Sequence, residues 1–145
     1  MASVEPFVHR VRVRYAEVDA QRVVFNAHWL TYCDDACTRF VESLGFGADA
    51  WTSDLDVMLV RAQLEWSGPA RFDDWVHIEV EPVRIGTTSF DLRYRASVEG
   101  RLACTAVITY VSVTPGTHVS TGIPAALRDA LGARLAAPIP DGVGA

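Results

Sequence analysis

The chain has 145 residues, a length that suits one domain with a substantial buried core. Half of its residues are hydrophobic and 21% are charged, which is typical of a globular protein and excludes a disordered one. The net charge of −5 argues against nucleic acid as a partner, because phosphate binding needs a basic surface. No apolar run approaches the roughly 20 residues that span a bilayer, and the first residues lack the features of a signal peptide. We therefore expect a cytoplasmic protein with no membrane insertion.

A strand is the first predicted element, because apolar and basic residues alternate along it with a period of two. Its apolar face carries Val11, Val13 and Tyr15, and its other face carries Arg10, Arg12 and Arg14. We interpret these arginines as a solvated strand face rather than a nucleic-acid contact. From Asn26 the period becomes helical, with one apolar stripe made of Trp29, Cys33, Ala36, Cys37, Phe40 and Leu44. Gly45 is a natural stop, so the pattern predicts one helix of about five turns.

Three cysteines, Cys33, Cys37 and Cys104, show no metal-binding spacing and leave one thiol without a disulfide partner. We interpret them as small buried hydrophobic residues, which remain reduced in the cytoplasm. No metal site is therefore predicted.

Four strand-like segments follow the helix, with alternating or largely apolar patterns over 60–66, 76–80, 90–98 and 102–113. Turns are predicted at 67–74, at Ile85-Gly86 and at Glu99-Gly100, the last being a two-residue hairpin. The economical solution is an α+β domain in which one long helix packs on one antiparallel sheet. Such a sheet has more apolar surface than one helix covers and has open edges, so we expect self-association as a homodimer or homotetramer.

The predicted domain spans residues 1–145, with its core at about 7–113. Residues 114–145 are predicted to hold a loop, a short helix over Pro124–Leu135 and a flexible tail. Common catalytic signatures are missing from this domain: the sequence contains no GxSxG, GxxxxGK[ST], GxGxxG or HExxH motif.

The segment DAQRVVFNAHW, from Asp19 to Trp29, carries the one specific resemblance in the sequence. It resembles the signature of the 4-hydroxybenzoyl-CoA thioesterase family, which includes the acyl-CoA thioesterases associated with Tol-Pal clusters. The matching positions are Asp19, Val23, Val24, Phe25 and Trp29. The resemblance implies a hotdog fold, in which one antiparallel sheet wraps around a long central helix. It also implies hydrolysis of acyl-CoA or acyl-carrier-protein thioesters without a cofactor, since coenzyme A is part of the substrate.

Two residues receive catalytic roles from this resemblance. Asp19 matches the carboxylate that either attacks the thioester carbonyl or activates a water molecule. Asn26 matches the position at the helix start whose backbone N–H points at the thioester oxygen. Physical chemistry supports this division, because unpaired N–H groups and the helix dipole stabilise negative charge on oxygen. Asn26 is also a favourable residue for the N-cap of the helix.

Further residues are candidates for substrate binding. Arg22 stands where the family has glycine, and it either meets a coenzyme A phosphate or is simply exposed. Val24, Phe25, His28 and Trp29 follow within the signature, and His28 could also act as an acid or base. Arg84, Thr87 and Ser89 resemble the family's R-x-G-x-[ST]-S segment, from which a neighbouring subunit could contact the pantetheine or the thioester. A turn rich in hydroxyl groups is also ordinary.

Two other functions remain open at this stage. A hotdog dehydratase or hydratase is one, although the sequence offers no histidine in an equivalent acid–base motif. A non-catalytic acyl-CoA-binding module is the other. Release of free thiol from acyl-CoA supports the thioesterase, a change in double-bond absorbance supports the hydratase, and neither signal supports the binding module.

Overall fold

The computed structural model describes residues 5–47, 49 and 55–136. In chain order these residues form β1 (Phe7–Arg12), α1 (His28–Ser43), β2 (Val57–Trp66), β3 (Trp75–Ile85), β4 (Ser89–Val98), β5 (Arg101–Ser112) and α2 (Ala125–Gly132). The strands make one antiparallel sheet in the order β1-β3-β4-β5-β2. The predicted α+β architecture, with one antiparallel sheet and one long helix, is confirmed.

The core lies between α1 and one face of the sheet, because both elements are apolar on the sides that meet. Side chains of β3 and β4 alternate between buried and partly exposed, as expected for a sheet covered on one face. The buried residues of α1 are Trp29, Tyr32, Cys33, Ala36, Cys37, Phe40 and Val41. All three cysteines are buried and free, as predicted. Burial raises the pKa of the Cys104 thiol to about 11, so this thiol is unreactive at neutral pH.

Two predicted turns are confirmed by the strand bounds. β4 and β5 are joined by Glu99 and Gly100, which have φ values of 49° and 77°. Two successive positive φ values are the geometry of the tight hairpin that the sequence predicts at this point. β3 ends at Ile85 and β4 begins at Ser89, so the turn predicted at Ile85-Gly86 is also present.

The start of α1 differs from the prediction. The helix begins at His28 with Ala27 as its N-cap, and no side chain caps it, so the N-cap prediction for Asn26 is wrong. The chain already turns before the helix, since the N–H of His28 donates to the carbonyl of Phe25 at 2.9 Å. Asn26 therefore lies inside this turn, one residue too early to cap the helix. The helix ends at Ser43, and Gly45 follows with a φ of +100°, as a helix stop requires.

The end of β1 also differs from the prediction. The strand stops at Arg12, and Tyr15 is 79% exposed instead of lying on the buried face. Residues Tyr15–Glu17 form a 3₁₀ turn instead, because the carboxylate of Glu17 accepts the backbone N–H of Arg14 at 2.8 Å. Local side-chain hydrogen bonds of this kind compete with the strand ladder.

The second helix, α2, is shorter than predicted: it begins after Pro124 and ends at Gly132. Its Leu127 and Leu131 are buried, and the helix contacts β3. The predicted tail at 137–145 lies outside the described residues. No helix in the described part of the chain is long and apolar enough to cross a membrane.

Strand β2 forms one edge of the sheet and is mostly exposed along its length. Its large apolar side chains include Met58, Leu59, Val60 and Trp66, each of which is at least partly open to solvent. The sequence pattern predicts a half-buried strand here. In the single chain, this edge instead carries apolar residues that no strand of the described residues covers.

Candidate active site

Asp19 lies in a tight hairpin that connects the 3₁₀ turn to α1. Val18 and Val24 face each other across it, and the N–H of Asp19 donates to the carbonyl of Val23 at 2.9 Å. One carboxylate oxygen of Asp19 accepts the backbone N–H of Gln21 at 2.8 Å. The other oxygen has no hydrogen-bond partner among the described residues. Asp19 is thus held in a turn with one oxygen available for chemistry.

Arg22 completes this hairpin in a conformation that favours glycine. Its φ is +64°, and its N–H closes the turn by donating to the carbonyl of Asp19 at 2.9 Å. The left-handed conformation costs a residue with a side chain about 1 kcal/mol. Arg22 therefore keeps the backbone geometry that glycine supplies in the family signature. Its side chain is exposed and forms no ion pair within the described ranges.

The hairpin leads directly into the start of α1. The N–H of Phe25 donates to the carbonyl of Glu17 at 3.0 Å, which ties the two ends of the loop together. Neither Asn26 nor Ala27 uses its N–H in a backbone hydrogen bond to any residue that the structure describes. These two groups lie at the positive end of a 16-residue helix, where they can stabilise a negatively charged oxygen.

Glu17 is a residue near the site that sequence reasoning missed. It is only 6% exposed, and its carboxylate accepts hydrogen bonds from Arg14 and from the Tyr32 hydroxyl, the latter at 2.9 Å. Burial alone raises the pKa of Glu17, but these hydrogen bonds and the charge of Arg14 outweigh it and hold the pKa below its ordinary value. No strand periodicity points to Glu17, because β1 ends at Arg12 and Glu17 lies in the 3₁₀ turn.

The other predicted residues of this segment divide into buried and exposed ones. Val24 and Trp29 are buried in the core of the single chain, where Trp29 contacts the ring of Tyr32 edge-on. Phe25 is exposed, and its ring lies 6.0 Å from that of the half-buried His28. Of the predicted residues of this segment, Asp19, Arg22, Phe25, Asn26 and His28 are therefore at least partly open to a ligand.

The second predicted segment is built around Arg84. Its guanidinium donates to Asp91 at 2.9 Å and to the Ser89 hydroxyl at 2.8 Å. Burial alone raises the pKa of Asp91, but hydrogen bonds from Arg84 and Thr109 lower it below its ordinary value. Thr87 is exposed, and its carbonyl accepts a hydrogen bond from Arg128 of α2 at 3.0 Å. The turn is therefore fixed from two sides, and the Thr87 side chain faces solvent.

The two segments lie at opposite ends of the sheet. β3 starts at Trp75, which pairs with Arg12 just before the Asp19 loop, and it ends at Ile85 beside the second segment. Eleven residues of extended chain span about 30 Å. We call these ends the carboxylate end, with Asp19 and Trp66, and the turn end, with Arg84–Ser89 and Val57. One chain does not bring the predicted site residues together.

A cleft lies near the turn end, between the middle of α1 and the strands β2 and β5. It is lined by Asp34, Cys37, Thr38, Val57 and Tyr110. The Tyr110 hydroxyl is paired with that of the buried Tyr94, so Asp34 and Thr38 are the polar residues that line the cleft. Among the described residues, no group of three or more potential ligands could hold a metal ion there or elsewhere.

Comparison with known proteins relates this arrangement to thioester hydrolysis. Acyl-CoA thioester hydrolase YbgC of Escherichia coli O6:H1 is 30% identical over 107 residues, which cover 72% of this chain and 80% of that protein. A 1,4-dihydroxy-2-naphthoyl-CoA hydrolase of Synechococcus elongatus is 25% identical over 120 residues, or 81% of this chain and 88% of its own length.

The solved structures include a similar fold. The BH1999 gentisyl-coenzyme A thioesterase superposes with a TM-score of 0.80 at 25% identity, covering 86% of this chain and 99% of that one. The predicted hotdog fold is confirmed. A family model described as "Thioesterase superfamily" matches residues 21–105, more than half of the sequence. The chain therefore belongs to the thioesterase superfamily.

Proposed function

We propose that this protein hydrolyses thioesters of coenzyme A or acyl carrier protein, with Asp19 as the catalytic carboxylate. One observation carries the proposal: the Asp19 hairpin, which leaves one carboxylate oxygen unpaired within the described residues, runs directly into a helix start with two unpaired N–H groups. A carbonyl bound there would meet a nucleophile or base on one side and oxyanion donors on the other. Superfamily membership and the named relatives support the same reaction class.

The chemistry can follow either of two routes. In the first, an oxygen of Asp19 bonds to the carbonyl carbon and the thiolate leaves, forming an anhydride that water then hydrolyses. In the second, Asp19 takes a proton from a water molecule whose oxygen attacks the same carbon; the C–S bond then breaks, and the departing thiolate takes up that proton. Both routes place negative charge on the carbonyl oxygen, so both need the N–H groups of Asn26 and Ala27.

The active site would be completed by a second copy of the chain. Two β2 edges that pair antiparallel about a two-fold axis would cover the apolar side chains of this strand. In this pairing the two sheets run in opposite directions along the shared edge. The carboxylate end of one chain would therefore lie beside the turn end of the other. A homodimer is thus the proposed minimal unit, and a homotetramer would join two such pairs.

In this arrangement the predicted residues would share one site. Asp19, Asn26, Arg22, Phe25 and His28 would come from one chain. Arg84, Thr87 and Ser89 would come from the other, where the exposed Thr87 hydroxyl can meet the pantetheine. Arg22, exposed at the mouth of the site, would meet a phosphate of coenzyme A.

The cleft near the turn end is the proposed place for the acyl group. It opens beside Val57, at the end of β2 that the pairing would bring next to the partner's carboxylate end. Its lining, which includes Thr38 and Asp34, suits an acyl group that carries hydroxyl groups better than a plain alkyl chain. Two of the named relatives act on hydroxylated aromatic acyl groups. Membership of the 4-hydroxybenzoyl-CoA family in particular remains a prediction.

The test is release of free thiol from a panel of acyl-CoAs with short, long and hydroxyaromatic acyl groups. We expect the Asp19→Asn variant to keep the fold and to lose at least about 100-fold in kcat. Asp73→Asn is the matched control, because Asp73 is an exposed aspartate at the same end of the sheet. Full activity of Asp19→Asn would exclude the mechanism.

The same panel separates the two alternative functions. A hydratase would change the double-bond absorbance of an enoyl-CoA without releasing thiol. A binding module would retain acyl-CoA tightly and give neither signal.

A further inference from the structure

Glu17 is a buried charged residue that the proposed mechanism does not use. Its carboxylate is bound on three sides: the Arg14 backbone N–H lies at 2.8 Å, the Tyr32 hydroxyl at 2.9 Å and the Arg14 guanidinium at 3.2 Å. Burying a carboxylate is costly unless it is well bound. The burial of this charge therefore suggests a role beyond packing.

The contacts of Glu17 join three segments of the chain. Its side chain binds the turn before Asp19 through Arg14, and it binds the second turn of α1 through Tyr32. Its backbone carbonyl accepts the N–H of Phe25 at 3.0 Å, immediately before Asn26. Asp19 follows two residues later. Glu17 is thus attached to the segments on both sides of the proposed reaction centre.

We infer that Glu17, held by Tyr32, is a positioning residue that fixes the Asp19 carboxylate relative to the N–H groups at the start of α1. The inference rests on the proposed function. Glu17 does not itself touch the substrate, because its side chain is almost fully enclosed. Its effect on the reaction passes through Asp19, and small errors in the position of a reacting group are expensive in rate.

A substitution at Tyr32 can remove its hydrogen bond to Glu17 while keeping the aromatic ring packed in the core. In the Tyr32→Phe variant the ring stays against Trp29, from which it lies 5.7 Å in the native chain. Only the hydroxyl that holds Glu17 is lost. Glu17→Gln removes the charge from the other side while keeping the shape of the side chain.

We expect both variants to lose about tenfold in kcat while KM changes less than about twofold. The matched control is Glu81→Gln. Glu81 also forms a largely enclosed pair with an arginine, Arg93, at 2.6 Å, but it lies on the face of the sheet away from α1. Its variant should lose comparable thermal stability and keep the kcat of the native enzyme.

A second measurement separates positioning from general loosening of the fold. If Glu17 and Tyr32 act through Asp19, the double variant Asp19→Asn/Tyr32→Phe should be no slower than Asp19→Asn alone. Additive losses in the double variant, or an unchanged kcat in both single variants, would overturn the inference. If Asp19→Asn is instead fully active, it is the proposed function that fails.

Discussion

The two ends of the sheet each carry an aspartate, but the hydrogen bonds of the two carboxylates differ. At the carboxylate end, Asp19 is held by a backbone N–H alone and keeps one oxygen unpaired among the described residues. At the turn end, Asp91 is bound by both Arg84 and Thr109. One aspartate is therefore available for chemistry, and the other is committed to holding a turn. The difference supports the proposal that the carboxylate end supplies the reaction and the turn end supplies a rigid surface for binding.

The separation of these ends has a consequence for assembly. One sheet keeps its ends about 30 Å apart, so the proposed site, which draws residues from both ends, is placed between two chains. The exposed apolar edge at β2 is the surface through which we propose that the two chains associate.

Separating the two chains should remove nearly all activity. Val60 on β2 is 57% exposed in the single chain, and Val60→Asp would bury a charge in the proposed interface. We expect a monomer by analytical ultracentrifugation and a loss of about 100-fold in kcat/KM. Val8→Asp is the control, since Val8 is 47% exposed on the opposite edge strand. A monomeric variant with native activity would show that one chain is sufficient.

Two substitutions of Arg22 should separate its backbone strain from its proposed contact with a phosphate. Glycine adopts the positive φ of position 22 without strain, whereas alanine does not. The free energy of unfolding in urea should therefore be about 1 kcal/mol higher for Arg22→Gly than for Arg22→Ala. Both variants lose the guanidinium and should raise KM for acyl-CoA about fivefold. An N-acetylcysteamine thioester has no phosphate and should show no change. Equal effects on both substrates would exclude a phosphate contact.

The turn end should affect binding more than chemistry. Thr87→Ala removes an exposed hydroxyl and should raise KM about two- to threefold with kcat unchanged, because one neutral hydrogen bond contributes modestly. Thr88→Ala, one residue further on, is the matched control. A fall in kcat for Thr87→Ala would place this residue at the reaction centre instead.

The smallest expected effect concerns stability at acid pH. The fold lowers the pKa of Glu17, so the stabilisation by its charge is present above the ordinary pKa of about 4.5 and is lost as the pH falls further. The native protein should thus exceed Glu17→Gln in unfolding free energy most clearly at pH 7. The difference should shrink when the same urea titrations are made below pH 4. A difference that stays constant with pH would mean that the charge of Glu17 does not contribute to stability.

Sequence reasoning was most successful where the signal is periodic. The alternation in β3 and β4 and the stripe of α1 predict the sheet, the helix and the face that each buries. It was less successful where a side chain redirects the backbone, as Glu17 does in ending β1 before Tyr15. Asn26 shows the same limit. The turn closed between Phe25 and His28 contains Asn26, so α1 begins after it, with Ala27 as the N-cap.

The candidate site was only partly accessible to sequence reasoning. The resemblance pointed to Asp19 and to a glycine position, and the positive φ of Arg22 explains why glycine suits that position. The pattern could not show that the two predicted segments lie at opposite ends of the sheet. That fact depends on strand order, which the sequence leaves open. Glu17 escaped notice because its importance depends on burial and on its contact with Tyr32, fifteen residues away.

Mixed dimers test the central claim most directly. One chain would carry Asp19→Asn, and the other would carry Thr87→Trp, which blocks the turn end with a large side chain. Each parent protein should be inactive, but a mixed dimer would contain one site with an intact Asp19 facing an intact turn. An equimolar mixture that is unfolded and refolded together should recover about one quarter of native thiol release. No recovery, despite mixed dimers demonstrated by mass spectrometry, would contradict a site shared between two chains.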